Sequence, residues 1–217
     1  MIKQLQNDLY LVQDERVIKN NSYILVNDND CLIIDPSFET NEIIQLINKH
    51  KWNVVGILLT HAHYDHICGV NKITNVFNCN IYCSINEKDI LQNHHLAEEF
   101  NVHNFKINSK KIIYFEKNHL VINNFNINII TSPGHTPGSV AYLYKNYLFV
   151  GDTIFNDSIG RTDLYKGNSN DIFSSIKKIM KLINDENYIL TGHNDTGLKY
   201  KQIKKINPYI IHFINNK

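Results

Sequence analysis

The chain has 217 residues, and its 22 basic side chains nearly balance its 21 acidic ones, which leaves a formal net charge of +1. This balance excludes the broad basic surface that attracts nucleic acid or an anionic membrane. No apolar stretch reaches the roughly 20 residues that span a bilayer, and the first residues lack the apolar core of a signal peptide. The length suits one domain, residues 1–217, with a sizeable core.

The first half predicts alternating strands and helices. Apolar runs indicate an antiparallel meander with strands at 9–12, 22–26 and 31–34, turning at 27–30. Residues 41–51 have the apolar spacing of an amphipathic helix. The next predicted elements are a strand at 54–59, a helix near 67–77, a strand at 80–83, and a helix followed by irregular chain over 86–106.

The second half begins again with strands. They are predicted near 111–115, 119–123, 125–131, 139–145 and 147–151. A helix over about 169–184, a strand at 188–191 and helices from about 199 onward follow. Two strand-rich halves, each followed by helices, indicate an α/β fold in which two sheets pack face to face with helices outside.

The segment 60–69 is unusually rich in metal-ligand atoms. It reads Thr-His-Ala-His-Tyr-Asp-His-Ile-Cys-Gly and directly follows the apolar run 54–59. Imidazole and carboxylate groups suit zinc, iron or manganese. His61 and His63 share a face of an extended segment and can bind one ion together. A polar loop with chance histidines is the alternative, but it explains a pair better than an H-x-H-x-D-H string.

Three further donors follow strand-like runs. His135 lies in a loop that the flanking proline and glycine residues make tight. Asp152 and His193 each follow an apolar run that ends in glycine. Each of the three, taken singly, is more often a structural residue. Together with segment 60–69 they indicate a metal site built at several strand ends.

The candidate ligands occur in the order of one known family, and they are His61, His63, Asp65, His66, His135, Asp152 and His193. The chain therefore resembles the metallo-β-lactamase superfamily. Gly-Asp-Thr-Ile-Phe at 151–155 and Ile-Gly-Arg-Thr-Asp at 159–163 bring it closest to the short, single-domain glyoxalase II-like hydrolases. The resemblance implies an αββα sandwich of two mixed β-sheets flanked by helices.

The resemblance also implies a centre with two divalent metal ions, zinc first, with iron or manganese as alternatives. The implied ligands of one ion are His61, His63 and His135. Those of the other are Asp65, His66 and His193. Asp152 would bridge the two ions, and Asp65 would orient a metal-activated hydroxide, so both carboxylates are candidate catalytic residues.

The implied reaction is hydrolysis of a small thioester, of the S-lactoylglutathione type. A thioester suits such a site because its leaving thiol, with a pKa of about 8.5, departs as thiolate with little need for an acid. Arg161 is a candidate for binding a substrate carboxylate. The alternative is an ion pair of Arg161 with Asp163 or Asp157 that shapes the loop.

The sequence departs from the family pattern in two places. Cys68 stands where the family commonly has glycine, which slightly alters the packing of the loop but removes no ligand. Residues 194–217 are too few for the helical domain that carries the glutathione site of the long glyoxalase II enzymes, so the thiol carrier stays open.

Four cysteines in a chain of this size suggest free thiols in a reducing compartment, which predicts a cytoplasmic protein.

Two other functions are compatible with the motifs. One is a mononuclear iron persulfide dioxygenase, in which His61, His135 and Asp152 form a 2-His-1-carboxylate triad. The other is a non-enzymatic metal-binding or partner-binding protein, which the filled ligand positions disfavour. The expected partner is a small thioester or another glutathione-derived molecule, with no nucleic acid and no membrane, and a homodimer is left open.

Overall fold

A computed structural model describes residues 1–14 and 18–216, which form two compact units. The first unit comprises Met1–Glu116 and Val121–Phe125, and the second comprises Lys117–Leu120 and the chain from Asn126 on. Within the described ranges, no helix combines the length and the apolar character that crossing a bilayer requires.

The first unit is built on a seven-stranded mixed sheet whose strands lie side by side in chain order. They are β1 (Ile2–Gln6), β2 (Leu9–Gln13), β3 (Asn21–Asn27), β4 (Asp30–Ile34), β5 (Asn53–Leu58), β6 (Ile81–Ser84) and β7 (Ile112–Phe115). Strands β1 to β4 pair antiparallel, and β4 to β7 pair parallel. The carboxyl ends of β4, β5 and β6 therefore lie along one edge.

Helices of the first unit complete its parallel crossovers and its core. They are α1 (Thr40–His50), α2 (Tyr64–Ile67) and α3 (Val70–Phe77). Ile43 and Ile47 of α1 and Ile73 of α3 are fully buried in one apolar cluster with Ile33 and Ile57 of the sheet. This packing supports the strand ends from which the candidate ligands project.

The second unit is built on a six-stranded mixed sheet in the order β13-β12-β11-β10-β9-β8. Its strands are β8 (His119–Ile122), β9 (Phe125–Thr131), β10 (Val140–Tyr144), β11 (Tyr147–Gly151), β12 (Tyr188–Thr191) and β13 (Leu198–Lys199). The helices are α4 (Ser169–Leu182), α5 (Tyr200–Ile206) and α6 (Pro208–Asn215). Ile172, Ile176 and Ile179 of α4 pack with Leu148 and Val150 of β11 in its core.

Most predicted elements are present, and those that were not predicted are short or polar. The sequence Ile-Lys-Gln-Leu-Gln of β1 is mostly exposed and carries little apolar signal. Strand β13 has only two residues. Helix α2 is a single turn composed largely of candidate ligands. The helix predicted at the start of 86–106 is a series of short 3₁₀ and π turns.

Asn207 joins α6 to the loop that follows β11. Its side-chain oxygen accepts from the amides of Tyr209 at 3.0 Å and Ile210 at 3.1 Å, which caps the helix. Its amide nitrogen donates to the carbonyls of Phe155 at 3.0 Å and Ser158 at 2.8 Å. The side chain is fully buried, so all of these bonds form away from water.

We predict that Asn207→Asp lowers the free energy of unfolding by about 1–3 kcal/mol, because a carboxylate keeps the cap but faces two carbonyl oxygens. The control is Asn168→Asp at the exposed cap of α4, whose side chain accepts only from Asn170 and Asp171 amides. It should change stability by about 0.5 kcal/mol or less. Equal effects in urea unfolding would contradict this role of Asn207.

Candidate metal centre

The histidine loop, residues 60–66, follows the carboxyl end of β5 and includes most of α2. His61, His63 and His66 are at most 3% exposed, and Asp65 is 7% exposed. The ring of His61 lies 4.8 Å from that of His63 and 4.2 Å from that of His66, centroid to centroid. Imidazoles this close repel one another when protonated, so the cluster suits neutral rings that bind a cation.

Asp35, the first residue after β4, holds the histidine loop from the neighbouring strand. Its carboxylate accepts from the Thr60 amide at 2.8 Å, the Thr60 hydroxyl at 2.6 Å and Nδ1 of His66 at 3.2 Å. Because Nδ1 of His66 donates here, its Nε2 keeps a lone pair for a metal. Donor atoms of Asp35, His61 and His66 lie within 4.8 Å of one another.

Asp65 is held by a residue from a distant part of the first unit. Asn20, which is buried, donates from Nδ2 to Oδ2 of Asp65 at 2.9 Å. The same oxygen lies 3.5 Å from Nε2 of His66. The carboxylate is therefore oriented beside an imidazole, as expected of two ligands of one ion.

The aspartate cluster of the second unit consists of His135, Asp152 and His193. Oδ2 of Asp152 lies 3.5 Å from Nε2 of His135 and 3.2 Å from Nε2 of His193. Strands β11 and β12 are parallel neighbours, and the amide of Gly192 donates to the carbonyl of Gly151 at 2.8 Å. This register brings the two strand-end ligands together. One carboxylate oxygen between two imidazole nitrogens suits a bridging ligand.

The loop that carries His135 is fixed against α4. Gly134 has φ +137°, and a Cβ there would lie 2.3 Å from the Ile172 nitrogen, so only glycine fits. The Gly134 carbonyl accepts from the Asn168 amide at 2.8 Å. Nδ1 of His135 donates to the Arg161 carbonyl at 2.8 Å. The ring is thus held with Nε2 available as a ligand.

Arg161 forms the ion pair that was the alternative to substrate binding. Its Nε and Nη2 donate to the two carboxylate oxygens of Asp163 at 2.7 and 2.8 Å, and both side chains are exposed. The hydrogen bonds from Arg161 lower the pKa of Asp163 to about 2, so the pair stays ionised at neutral pH. Binding of a substrate by Arg161 stays a prediction.

The donor set fits a divalent cation. Within the described part of the chain, buried carboxylates include Asp35, Asp65 and Asp152, whereas no lysine or arginine side chain is buried. Removing a carboxylate from water costs several kcal/mol unless an opposite charge or hydrogen bonds compensate for it. Nitrogen and oxygen donors of this kind suit zinc, iron and manganese.

The thiols are not part of this donor set. All four cysteines are free. Burial raises the pKa of both Cys31 and Cys68 to about 12, so these thiols are neutral at pH 7 and are poor ligands. Cys79 and Cys83 are buried in the apolar core of the first unit, where they pack as small hydrophobic residues.

Two surface cavities of the second unit lie elsewhere. Their volumes are about 520 and 630 Å³, and Lys177 and Phe213 line both. His135, Asp152 and His193 line neither. The clustered ligand atoms, and not these cavities, therefore mark the candidate site.

Sequence reasoning missed several residues that orient ligands. Asp35 follows the apolar run of β4 in the way that Asp152 follows β11, so the same signal was present for it. Asn20 and the carbonyl of Arg161 carried no signal, because their roles depend on which segments meet in the fold.

The model of the metallo-β-lactamase superfamily matches residues 16–193. The chain belongs to this superfamily. Membership places it among metal-dependent hydrolases. The predicted fold class was two mixed β-sheets flanked by helices. The two sheets described above confirm it, and so does the similarity of this chain to a solved metallo-β-lactamase.

Several relatives match nearly the whole chain. The probable metallo-hydrolase YqgX of Bacillus subtilis is 32% identical over 198 residues, which cover 89% of this chain and 93% of the relative. The hydroxyacylglutathione hydrolase GloC of Haemophilus influenzae is 31% identical, covering 88% and 92%. The crystal structure of the BLEG-1 B3 metallo-β-lactamase has a TM-score of 0.81 and 29% identity, covering 92% and 99%.

We predict that Gly160→Ala displaces Asp152. A Cβ at position 160 would lie 1.7 Å from the Asp152 carbonyl oxygen, so the loop has to move. Metal affinity should fall by about 10–100-fold, measured by competition with a chromophoric chelator.

The control for this substitution is Ser158→Ala in the same loop, whose hydroxyl donates to Asp157 at 3.3 Å. It should bind metal as the wild-type protein does. Unchanged affinity in Gly160→Ala would mean that the close approach of Gly160 does not position Asp152.

Proposed function

We propose that the protein hydrolyses small thioesters of the S-lactoylglutathione type in the cytoplasm. The observation that carries the proposal is the likeness to GloC over nearly the whole chain, together with candidate ligands in the family order. The proposed partner is therefore a small thioester or another glutathione-derived molecule, and neither a nucleic acid nor a membrane. A homodimer is compatible with this function.

The two ligand clusters support a dinuclear centre, and we assign their residues accordingly. The proposed ligands of the first ion are His61, His63 and His135. Those of the second are Asp65, His66 and His193, with Asp152 bridging. Zinc is the first candidate metal, with iron or manganese as alternatives, because availability decides among metals at such sites.

When bound, the divalent ions supply Lewis acidity that activates water and polarises a carbonyl. The residues of the chain then orient the reactants. Asp65, which Asn20 holds at 2.9 Å, accepts a hydrogen bond from the attacking water. The thiol of a thioester, with a pKa of about 8.5, departs without a proton donor from the protein. An amide would need such a donor, which favours a thioester substrate.

The proposal is tested on protein that is stripped of metal and reloaded with Zn²⁺, Fe²⁺ or Mn²⁺. Release of thiol from S-lactoylglutathione should reach a kcat/KM on the order of 10⁴ M⁻¹s⁻¹ or above with at least one metal. Release at the uncatalysed rate with every metal would contradict the proposal. Oxygen uptake with glutathione persulfide, without thioester cleavage, would support the mononuclear iron dioxygenase instead.

We predict that Asp152→Ala lowers kcat/KM on the order of a thousandfold, because a bridging carboxylate carries several kcal/mol of transition-state stabilisation. Asp157→Ala, on the exposed part of the same loop, is the control and should retain wild-type turnover. Full activity in Asp152→Ala would exclude a bridging role.

Arg161 and Asp163 offer a matched pair of substitutions. If Arg161 binds a substrate carboxylate, Arg161→Ala should raise KM about tenfold through the loss of a charged hydrogen bond. Asp163→Ala should lower KM, because it frees the guanidinium from its bidentate partner. An unchanged KM in both variants would assign Arg161 a purely structural role.

A further inference from the structure

Glu87 is a buried carboxylate in direct contact with the histidine loop. It lies three residues beyond the end of β6 and is fully buried. One of its carboxylate oxygens, Oε2, accepts from the amide of Ala62 at 2.7 Å. Ala62 separates His61 from His63, and its amide belongs to the His61–Ala62 peptide, so the bond holds the backbone between these two candidate ligands.

This bond is the central one of three. The amide of Thr60 donates to Asp35 at 2.8 Å, that of Ala62 to Glu87 at 2.7 Å, and that of Tyr64 to the carbonyl of His95 at 2.5 Å. The amides of Thr60, Ala62 and Tyr64 therefore attach the histidine loop to three other segments of the first unit.

The anchoring determines where the imidazoles point. His63 is in an extended conformation, with φ −69° and ψ 148°, and the rings of His61 and His63 lie 4.8 Å apart. A rotation of the Ala62 peptide would turn both side chains away from a common ion. Asp35 and His95 hold the ends of the loop, and Glu87 holds the peptide between the ligands.

We propose that Glu87 is a positioning residue for the metal centre, and that it sets the spacing and direction of the His61–His63 pair through the Ala62 amide. The inference rests on the metal-binding part of the proposed function and is independent of the substrate. A carboxylate that served only the local turn at Ile85–Glu87 would leave metal affinity unchanged.

Three substitutions distinguish the effect of the length of the Glu87 side chain from the effect of its charge. Glu87→Gln keeps a side-chain oxygen at the same reach but removes the charge. Glu87→Asp keeps the charge but is one methylene too short for the Ala62 amide. Glu87→Ala removes both. Glu99→Asp, at an exposed position, controls for the loss of a methylene.

The measurement is the affinity of metal-free protein for Zn²⁺ and Co²⁺, together with the visible absorption spectrum of bound Co²⁺. Glu87→Asp and Glu87→Ala should weaken binding by about 10–100-fold and alter the Co²⁺ spectrum. Glu87→Gln and Glu99→Asp should retain most of the affinity and the wild-type spectrum.

Two results would overturn the proposal. Wild-type affinity and spectrum in Glu87→Asp would show that the reach to Ala62 does not matter. Equal losses in Glu87→Gln and Glu87→Ala would show that the charge, and not the hydrogen bond, is what counts. Circular dichroism reports folding, and if Glu87→Ala does not fold, the comparison of Glu87→Asp with Glu87→Gln decides.

These readouts contain no substrate. A protein that binds metal in this way but cleaves no thioester would leave the role of Glu87 intact and reject the proposed activity. Thioester cleavage by the wild-type protein, with normal metal binding in the Glu87 variants, would support the proposed activity and reject the role of Glu87.

Discussion

The burial of imidazole and carboxylate groups at strand ends is the constraint that governs this molecule. Burial removes the hydration of such groups. This loss costs several kcal/mol for each ionised group unless hydrogen bonds or an opposite charge compensate for it. In the first unit, the buried carboxylate of Asp35 is compensated by three hydrogen bonds. It accepts two from the backbone and side chain of Thr60 and one from His66. The hydrogen bonds of Nδ1 in His66 and in His135 also orient the rings of these two candidate ligands.

Parallel strand pairing brings candidate ligands together, and close backbone packing limits the movement of the loops that carry these ligands. In the second unit, the register of β11 and β12 brings Asp152 beside His193. Gly134 permits a conformation that packs the His135 loop directly on α4, and Gly160 allows close approach to Asp152. Glycine thus occurs at two positions where a side chain would displace a candidate ligand.

The candidate ligands were predicted from the sequence because most of them lie at or just beyond the end of an apolar run that closes with glycine or a polar residue. The sequence also indicated most strands and helices. It did not reveal that Asn20 and Glu87 bind the histidine loop, because these contacts join distant segments of the chain. Helix α2 was missed for a different reason. It has a single turn of four residues, which is too short to show the apolar periodicity by which a helix is detected.

The arrangement of bound metal tests the central claim most directly, and anomalous X-ray diffraction at the absorption edge of the metal measures it in crystals of metal-loaded protein. We predict two anomalous peaks about 3.5–4 Å apart, with the carboxylate of Asp152 between them and the histidine loop as ligands. A single anomalous peak would contradict the proposed dinuclear centre.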